Sequence, residues 1–428
     1  MRQIRHVAVL GANGTMGALS GGIFAQAGCE VAFVSRSREK SQAGIDRAVA
    51  AARSEDVATR STAEVYENLP AILQRSDWIF EALGEDLDLK REFYTVVDAH
   101  RREDAIVSTV SSGLSIAAMA QDRSAGFRRH FLGTHFYNPP AKLPACELIS
   151  HSGTDAAVLQ FAHEYLAKVL RRVVVPTRDV PAFAGNRIGF QFLNQAARLT
   201  ESHSVLMVDT LLGPYTGRAL PPLATIDLVG LDVHRAIVDN VFTNAHDECR
   251  DCFRMPEFMR DMITRGQLGR KSPAAGGFYG PKQNGHRPVW NPKRAAHEAV
   301  ELPRFEFMEE ARRCIRDGLY REALAAVFAA TGDEARLVQR SLAGYVHYAF
   351  ARIGDVTEAE QGIAAIDDVM AYGFSWAPPG GYVDLLGGPA AAAAVLERSG
   401  FHPPASLMRL REGMPVCRVP DIGRFFVA

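Results

Sequence analysis

The sequence predicts a doubly wound α/β domain of Rossmann type, followed by two related all-α domains. Three observations lead to this prediction. Strand and helix patterns alternate up to about residue 180, and helical patterns dominate the rest of the 428-residue chain. The helical part also contains an internal repeat, which indicates that one helical domain is present in two copies.

Composition and charge exclude several classes of protein. The chain has 48 Lys plus Arg and 49 Asp plus Glu, and this balance offers no bulk attraction to nucleic acid or to an anionic membrane. No apolar run reaches the roughly 18 residues of a membrane span, and no signal-peptide core precedes the first glycine. Six scattered cysteines do not form a disulfide framework, and the pair Cys249 and Cys252 lacks further ligands at zinc-finger spacing. We therefore expect a cytoplasmic protein with reduced thiols, no metal, and no nucleic-acid or membrane partner.

A glycine-rich turn directly follows the first predicted strand. The pattern predicts strand, helix and strand over residues 7–10, 19–27 and 31–34. Gly11, Gly14 and Gly17 fall between the first strand and the helix. Glycines at such a junction let backbone N–H groups approach a pyrophosphate, so the turn predicts a dinucleotide site.

The end of the second strand bears on the choice of dinucleotide. NAD-binding domains usually place a carboxylate there for the ribose hydroxyls, but this chain has Ser35 and Arg36. A hydroxyl and a guanidinium would hold a 2′-phosphate, which favours NADP. The alternative is that Arg36 and Arg38 are solvated loop charges and that NAD binds.

Further strand patterns and the repeat define the domain organisation. The other predicted strands cover residues 77–82, 105–109, 131–136, 147–149 and 172–175. Residues 221–230 and 378–387 share the pattern Pro-Pro-x4-Asp-Leu-x-Gly, and Asp209 and Asp368 precede the two copies. We expect a dinucleotide-binding domain over 1–180, a helical domain over 181–280, a linker with connecting helices over 281–330, and a degenerate helical repeat over 331–428.

A histidine and a glutamate form a candidate catalytic pair. His135 lies at the carboxyl end of a predicted strand, where open α/β sheets bind their ligands. An imidazole suits proton transfer to or from an alcohol, and a carboxylate on its other ring nitrogen would fix the tautomer. Glu147, twelve residues further on, is the candidate partner.

The motifs together resemble those of the L-3-hydroxyacyl-CoA dehydrogenases over essentially the whole chain. The resemblance rests on the order and spacing of these motifs. The doubled helical half is similar to the form of the family in which the C-terminal helical domain is duplicated. No hydratase segment accompanies it. The motifs are Glu81 and Ala82 with Glu85 and Lys90, and residues 14–17, 111–116, 135–139, 146–149, 179–187, 227–232, 269–271 and 277–279.

The resemblance implies a role for each matching residue. His135 would be the general base on the 3-hydroxyl, Glu147 would orient it, and Ser112 and Asn186 would hydrogen-bond the C3 oxygen of a (3S)-3-hydroxyacyl-CoA. Ser111 could exchange roles with Ser112. The positions implied to contact the cofactor, NAD by family default, are Gly11, Gly14, Thr15, Met16, Gly17, Glu85, Lys90, Asn138 and Lys271, to which the local sequence adds Ser35 and Arg36. The implied activity belongs to fatty-acid-type metabolism, and the protein would be a monomer or a homodimer.

Three features depart from the family pattern. The glycine turn is one residue longer, the acid after the second strand is replaced by Ser35, and the stretch between Gly44 and Asp77 is shorter than the arm that usually helps to hold CoA. In the second repeat, Gln339 stands in place of Asn186, so that copy is expected to be structural. The alternatives are a dehydrogenase of a carrier-protein-bound or free hydroxy acid and a non-catalytic dinucleotide-binding protein.

Overall fold

The computed structural model describes residues 3–282 and 286–428, and it divides into two compact units. The first unit ends at Phe183 and the second begins at Ala184. Among the described residues, every helix is too short or too polar to cross a lipid bilayer.

An eight-stranded sheet forms the centre of the first unit. Its strands are β1 (His6–Leu10), β2 (Glu30–Ser35), β3 (Ser61–Val65), β4 (Trp78–Glu81), β5 (Ile106–Thr109), β6 (Phe131–Phe136), β7 (Ala145–Ile149) and β8 (Val173–Thr177). Their spatial order is β3-β2-β1-β4-β5-β6-β7-β8. Strands β1 to β6 are parallel, β7 is antiparallel to β6, and β8 is parallel to β7. The chain adds strands first on one side of β1 and then, from β4 onward, on the other side, and helices connect the parallel strands. This topology confirms the predicted doubly wound fold.

The helices of the first unit cover both faces of this sheet. They are α1 (Thr15–Gln26), α2 (Arg38–Ala52), α3 (Asp56–Thr59), α4 (Leu69–Arg75), α5 (Leu87–His100), α6 (Ile116–Ala120), α7 (Ala125–His130) and α8 (Ala156–Glu164). The side chains of Ser37, Asp86 and Asp155 accept hydrogen bonds from backbone N–H groups in the first turns of α2, α5 and α8. These caps fix the helix starts because the first N–H groups of a helix lack partners within it.

Apolar side chains fill a core on each face of the sheet. One core is centred on Phe24, Trp78 and Phe80, and the other on Tyr94, Phe127 and Phe131, all fully buried. Strands with apolar residues on both faces are typical of a sheet covered on both sides by helices.

The second unit is almost entirely helical. Its helices are α9 (Gly185–Leu199), α10 (Val205–Leu211), α11 (Pro222–Val229), α12 (Leu231–Asn244), α13 (Glu257–Thr264), α14 (Glu306–Arg316), α15 (Tyr320–Ala329), α16 (Asp333–Ala351), α17 (Gly362–Val369), α18 (Pro379–Leu386), α19 (Pro389–Arg398) and α20 (Ala405–Met408). The predicted linker stretch contains a hairpin of β9 (Val289–Asn291) and β10 (Ala296–Glu298). Residues 283–285 of that stretch lie outside the described residues.

The two copies of the repeat share a buried acid that caps a helix. In the first copy, the Asp209 carboxylate accepts from the N–H groups of Leu223 and Ala224 at the start of α11. In the second copy, Asp367 accepts from the N–H of Gly380 at the start of α18. The sequence prediction that Asp368 matches Asp209 is therefore wrong by one residue. The error arose because the residues between acid and helix differ in number between the copies.

A second acid in each copy repeats the same design. Asp227 accepts from the backbone N–H groups of Phe278 and Tyr279, and its equivalent Asp384 accepts from those of Val416 and Cys417. Each Asp thus ties a distant loop to its helix. The matched bonding supports the duplication that the Pro-Pro pattern predicts.

A buried arginine joins the two copies. The guanidinium carbon of Arg218 lies 3.7, 5.1 and 4.8 Å from the ring centres of Phe192, Tyr345 and Trp376. Phe192 belongs to α9 of the first copy and Tyr345 to α16 of the second. A desolvated cation among aromatic faces is attracted to each ring, so these contacts stabilise the packing of one copy on the other.

One prediction about the cysteines is wrong. Cys249 and Cys252 form a disulfide rather than two reduced thiols. The pair lies in a tight turn between α12 and α13 that brings the two Cα atoms to 5.2 Å, within the range that a disulfide requires.

Candidate active site

The glycine turn brings the backbone of β1 against the loop after β4. Gly11 adopts a φ of +76°, and a Cβ atom at this position would lie 2.5 Å from the carbonyl oxygen of Ala82. A Cβ atom at Gly17 would lie 2.6 Å from the carbonyl oxygen of Gly11. Gly14 is the N-cap of α1. The next two residues, Thr15 and Met16, are exposed and partly buried, respectively. Only glycine permits this close approach, and the turn leaves the N-terminus of α1 open for an anion.

A cavity of about 310 Å³ lies directly beside this turn. Its lining includes Gly11, Gly14, Arg36, Lys40 and Tyr66. The glycine turn supplies backbone N–H groups at one side, and the two cations lie near the end of β2. This arrangement suits a phosphate-bearing ligand.

The structure changes the role predicted for Ser35. Its side chain is buried, and the hydroxyl bonds to the Ser41 hydroxyl at 2.6 Å and donates to the carbonyl of Ser37. These contacts fix the β2–α2 turn and leave the hydroxyl committed to the protein. Lys40, which the sequence analysis missed, takes its place beside Arg36 in the cavity wall.

Tyr66 is a second cavity residue that sequence reasoning missed. Its hydroxyl accepts a hydrogen bond from the N–H of Gly11 at 3.1 Å, and its ring packs edge-on against Phe93 at 4.8 Å. Burial raises the pKa of Tyr66, so the hydroxyl stays protonated and can donate into the cavity. Tyr66 follows β3 directly, and the sequence analysis did not predict that strand.

His135 and Glu147 form a buried pair at the end of β6. The two residues are register partners across the antiparallel β6–β7 ladder. The Nδ1 atom of His135 lies 2.6 Å from Oε2 of Glu147, and both side chains are at most 5% exposed. An ionised carboxylate accepts hydrogen bonds, so this contact places the proton on Nδ1 and leaves Nε2 as a proton acceptor.

Tyr137 completes this pair. Its hydroxyl donates to the same Oε2 atom of Glu147 at 2.6 Å, and its ring centre lies 4.8 Å from that of His135. Burial and the Glu147 charge raise the pKa of Tyr137 well above its ordinary value, so it remains a donor. The Phe183 ring lies 5.8 Å from the His135 ring. The imidazole is thus held by one carboxylate and two aromatic rings.

Glu85 holds the loop that contains Ser111 and Ser112. Its Oε1 atom accepts from the Ser111 hydroxyl at 2.6 Å and from the Ser112 N–H at 2.8 Å. The Ser111 oxygen also accepts from the N–H of Leu114. Ser111 is therefore buried and committed to the loop, whereas Ser112 is partly exposed. This difference favours Ser112 over Ser111 as the residue that contacts substrate.

Lys90 differs most from its predicted role. Its side chain is fully buried, and the ammonium lies 2.7 Å from Oε1 of Glu81, which is also fully buried. The Tyr94 hydroxyl donates to the other Glu81 oxygen at 2.5 Å. The ammonium also lies 3.5 Å from the carbonyl of Leu83, a residue of the cavity wall. Lys90 therefore supports the cavity wall through its contact with the Leu83 backbone and does not present an exposed charge to the cavity.

The other predicted site residues lie in different settings. Asn138 is exposed just after β6, and the peptide bond to Pro139 is cis. In the second unit, Asn186 is buried in the first turn of α9, and the Lys271 ammonium pairs with Asp232 at 2.9 Å. Cys146, beside Glu147, is fully buried, and burial raises the pKa of its thiol well above the ordinary value, which argues against a nucleophile.

The residues present fit a dinucleotide cofactor. The glycine turn and the start of α1 would hold a pyrophosphate, Tyr66 would line the site, and Arg36 and Lys40 would face the adenosine ribose. The described part of the chain contains no group of three or more His, Cys, Asp and Glu side chains that could hold a metal ion.

Comparisons with known proteins identify both domains of the chain and several relatives. A family model described as the 3-hydroxyacyl-CoA dehydrogenase NAD-binding domain matches residues 6–180, and the model of the C-terminal domain of the same enzymes matches residues 183–279. The chain is 33% identical over 291 residues to a probable 3-hydroxyacyl-CoA dehydrogenase of Deinococcus radiodurans, which covers 65% of this chain and 83% of that protein. It is 34% identical over 313 residues, or 71% of this chain, to a probable 3-hydroxyacyl-CoA dehydrogenase of Bacillus subtilis, but spans only 38% of that protein's length.

Solved structures show the same architecture. The 3-hydroxybutyryl-CoA dehydrogenase of Escherichia coli K12 superposes on 95% of this chain and 98% of its own with a TM-score of 0.70, and at 21% identity this likeness concerns the fold. The (S)-3-hydroxybutyryl-CoA dehydrogenase of Ralstonia eutropha covers 66% of this chain and all of its own, with a TM-score of 0.58 and 27% identity. From the two domain matches and the Deinococcus relative, we conclude that the chain belongs to the 3-hydroxyacyl-CoA dehydrogenase family.

Proposed function

We propose that the protein interconverts the 3-hydroxyl and 3-oxo forms of a (3S)-3-hydroxyacyl thioester, with NADP as the preferred cofactor. The single observation that carries the reaction is the buried contact of 2.6 Å between His135 Nδ1 and Glu147 Oε2. It creates a histidine whose second nitrogen can exchange a proton with an alcohol. The family membership and the names of the relatives support the thioester as substrate.

The protein's own residues account for the proton transfer. A bound nicotinamide supplies the hydride acceptor in the oxidative direction. His135 Nε2 accepts the proton of the 3-hydroxyl, and the Glu147 carboxylate stabilises the imidazolium that results. Tyr137 donates to that carboxylate and holds it in place. Ser112 and Asn186 would donate to the C3 oxygen where negative charge develops.

The cavity wall supports the preference for NADP. Its polar side chains near β2 are Arg36 and Lys40, and no Asp or Glu belongs to the described lining of the cavity. Two cations attract a 2′-phosphate, whereas a carboxylate at this place would repel it. One charged hydrogen bond is worth about 1.5 to 3 kcal/mol, so Arg36 alone would raise the affinity for NADP about 10- to 150-fold.

An activity screen tests the reaction and its substrate class. Oxidation of NADPH and of NADH is followed with acetoacetyl-CoA, longer 3-oxoacyl-CoAs, the matching pantetheine thioesters and the free 3-oxo acids. We expect turnover with the CoA thioesters and a higher kcat/KM with NADPH. Turnover of free acids alone would contradict the thioester assignment. The pantetheine thioesters are informative because the segment between α2 and β4, which usually helps to hold CoA in this family, is short in this chain.

Matched arginine variants test the cofactor preference. Arg36→Ala should lower kcat/KM for NADPH about 10-fold or more and leave that for NADH nearly unchanged. Arg38→Ala is the control, because Arg38 is exposed in the first turn of α2 and does not line the cavity. Equal losses in the two variants, or a wild-type preference for NADH, would refute the proposed preference.

A further inference from the structure

The disulfide between Cys249 and Cys252 is a feature that the proposed reaction does not use. Both cysteines are partly exposed, whereas Cys29, Cys146 and Cys314 are buried free thiols. Only two residues separate the bonded pair, so the bond closes a small ring and constrains the unfolded chain little. Such a disulfide contributes little to the stability of the fold, so we considered a role in thiol–disulfide exchange.

One face of α9 holds the loop that contains the disulfide. This disulfide loop comprises residues 247–254. Asn194 donates to the carbonyls of Cys252 and Arg254 at 2.7 and 3.1 Å, and Arg198 donates to that of Asp251 at 2.9 Å. Gln191 donates to Sγ of Cys249 at 3.4 Å. Residues 191, 194 and 198 are spaced three and four positions apart, so they lie on a single face of the helix.

Asp247 links the disulfide loop to the first turn of α9. Its Oδ1 atom accepts from the N–H of Cys249 at 3.0 Å, and its Oδ2 atom accepts from Arg187 at 2.6 Å. Tyr348 and Arg352 of the second repeat donate to the same Oδ2 atom at 2.8 and 2.7 Å. Burial acts to raise the pKa of Asp247, but the Arg187 and Tyr348 hydrogen bonds and the two guanidinium charges outweigh it and hold the pKa below its ordinary value, so Asp247 remains an ionised acceptor.

Asn186 immediately precedes Arg187 in this turn. The position of Arg187 is set by Asp247 and by Tyr348, whose hydroxyl accepts from its Nε atom at 2.8 Å. A change in the disulfide loop therefore reaches Asn186 through two bonded residues. The backbone bond from the N–H of Cys252 to the carbonyl of Cys249 at 2.8 Å would persist without the disulfide, so the change would be a loosening rather than a collapse.

We propose that Cys249 and Cys252 form a reversible redox site for dithiol reductants, and that opening it loosens the first turn of α9 and slows turnover. The effect on turnover rests on the proposed dehydrogenase function, whereas the redox site itself does not. The site belongs to the first helical copy, and the second copy has no cysteine pair at this spacing.

The exchange chemistry follows from the surroundings of the two sulfur atoms. A thiolate of the reductant attacks Sγ of Cys252, the S–S bond breaks, and its electron pair passes to Sγ of Cys249. The amide donors of Gln191 and Gln195 at 3.4 and 3.8 Å stabilise the negative charge on this leaving sulfur. The second reductant thiol then displaces Cys252, so the reductant becomes a disulfide and the protein gains two thiols and two protons.

Alkylation of the native protein tests the redox site. The folded protein is incubated with or without dithiothreitol, treated with N-ethylmaleimide, and analysed by peptide mass spectrometry. We expect reductant-dependent alkylation of Cys249 and Cys252 and no alkylation of buried Cys146. Burial raises the pKa of the Cys417 thiol, so Cys417 should react slowly and to the same extent with and without reductant. Alkylation of the pair without reductant, or none after reduction, would overturn the proposal.

Hydrogen exchange and steady-state kinetics test the coupling to α9. Reduction should speed amide exchange in the first turn of α9 and lower kcat about 2- to 30-fold, the range of energetic coupling seen between linked sites. Oxidised glutathione should restore both values. The Cys249→Ser/Cys252→Ser variant should have the amide exchange and the kcat of the reduced protein, and the reductant should change neither value. Cys417→Ser should respond to the reductant as the wild type does. Unchanged exchange in α9 after complete reduction would overturn the coupling.

The two readouts separate this proposal from the proposed function. A protein that shows reductant-dependent alkylation and faster exchange in α9, but that turns over no hydroxyacyl or oxoacyl substrate, would refute the dehydrogenase function and support the redox site. A protein with full dehydrogenase activity that is unaffected by reduction of the pair would refute the regulatory effect and leave the dehydrogenase function standing.

Discussion

Replacement of Glu147 by glutamine removes a charge while it keeps the shape of the side chain. The carboxylate accepts from His135 Nδ1 and from the Tyr137 hydroxyl, each at 2.6 Å and through the same oxygen. In Glu147→Gln only one of the two terminal atoms is an acceptor, because the other becomes an amide donor. If the amide nitrogen faces Nδ1, the imidazole proton moves to Nε2, and the proton acceptor for the substrate is lost.

The size of the effect follows from these two contacts. A hydrogen bond to a charged group contributes about 1.5 to 3 kcal/mol, which corresponds to about 10- to 150-fold in rate. The change of tautomer removes the general base as well, and general acid–base catalysis contributes about 10² to 10⁴-fold. We therefore expect kcat for Glu147→Gln to fall about 10² to 10⁴-fold.

The assay compares kcat for acetoacetyl-CoA reduction with the dissociation constant for NADPH. Glu147 does not line the cavity beside the glycine turn, so cofactor binding should change less than threefold, as an order-of-magnitude limit. Circular dichroism and a thermal melt check that the variant is folded. A folded variant that keeps more than a tenth of the wild-type kcat would refute the role given to Glu147.

Three further substitutions give separate tests. Tyr137→Phe removes one donor to the Glu147 carboxylate and leaves the imidazole tautomer intact, so kcat should fall at most about 10- to 150-fold; a larger loss than for the amide variant would contradict this reasoning. Ser111→Ala removes the hydroxyl that holds Glu85 and should lower the unfolding free energy by about 1 kcal/mol in a urea titration, and unchanged stability would count against its place in the loop. Burial raises the pKa of Asp209 to about 7, and the Tyr279 hydroxyl opposes this rise, so the acid ionises as pH increases from 6 to 8. The stability lost in Tyr279→Phe should therefore grow over this range, because the missing bond matters most when the acid is charged; a loss that is constant or shrinks with pH would refute the assignment.

The Asp209 prediction depends on the sign of its pKa shift. Because the pKa of Asp209 is higher in the folded protein than the usual 3.8, the folded state binds more protons than the unfolded state between pH 4 and 7. Its contribution to stability is greatest below pH 4 and is lost as pH rises through 7. A wild-type stability that rises steeply over this window would require other groups to outweigh Asp209.

The fold could be predicted because its strands are apolar and its turns contain glycine. Strands β1, β2, β4 and β6 are short buried runs, and a run of four to eight apolar residues between turn signals is typical of a fully buried strand. The edge strand β3 was missed because its residues, Ser61–Val65, are mostly polar and none is buried. That omission also concealed Tyr66, whose position in the cavity depends on the end of this strand.

The sequence could suggest that Glu147 bonds to His135, but it could not show the strand register that brings these two candidate residues together. A separation of twelve residues does not reveal that β6 and β7 run antiparallel, and the direct pairing of His135 with Glu147 follows from that register. The same register places Tyr137 beside Glu147, two residues beyond the histidine on the same side of the chain. A search for hydroxyl or aromatic residues two positions from a catalytic histidine could have found it.

Burial is a property that the position of a residue along the chain does not reveal. Ser35 and Lys90 were placed in the cofactor site by position, but their polar atoms are occupied by Ser41 and Glu81 within the protein. The sequence gives the position of a polar residue along the chain and does not show which neighbour satisfies its hydrogen bonds. For the same reason the disulfide at Cys249 was not expected, since it depends on the turn that brings its partner near.

The central claim is that His135, held by Glu147, exchanges the proton of the 3-hydroxyl group. The most direct test is the single-turnover rate of acetoacetyl-CoA reduction by His135→Gln with NADPH saturating, measured beside NADPH affinity. The account predicts a rate at least about 10²-fold below that of the wild type with NADPH affinity unchanged. A rate within threefold of the wild type would contradict it, whatever the affinity for NADPH.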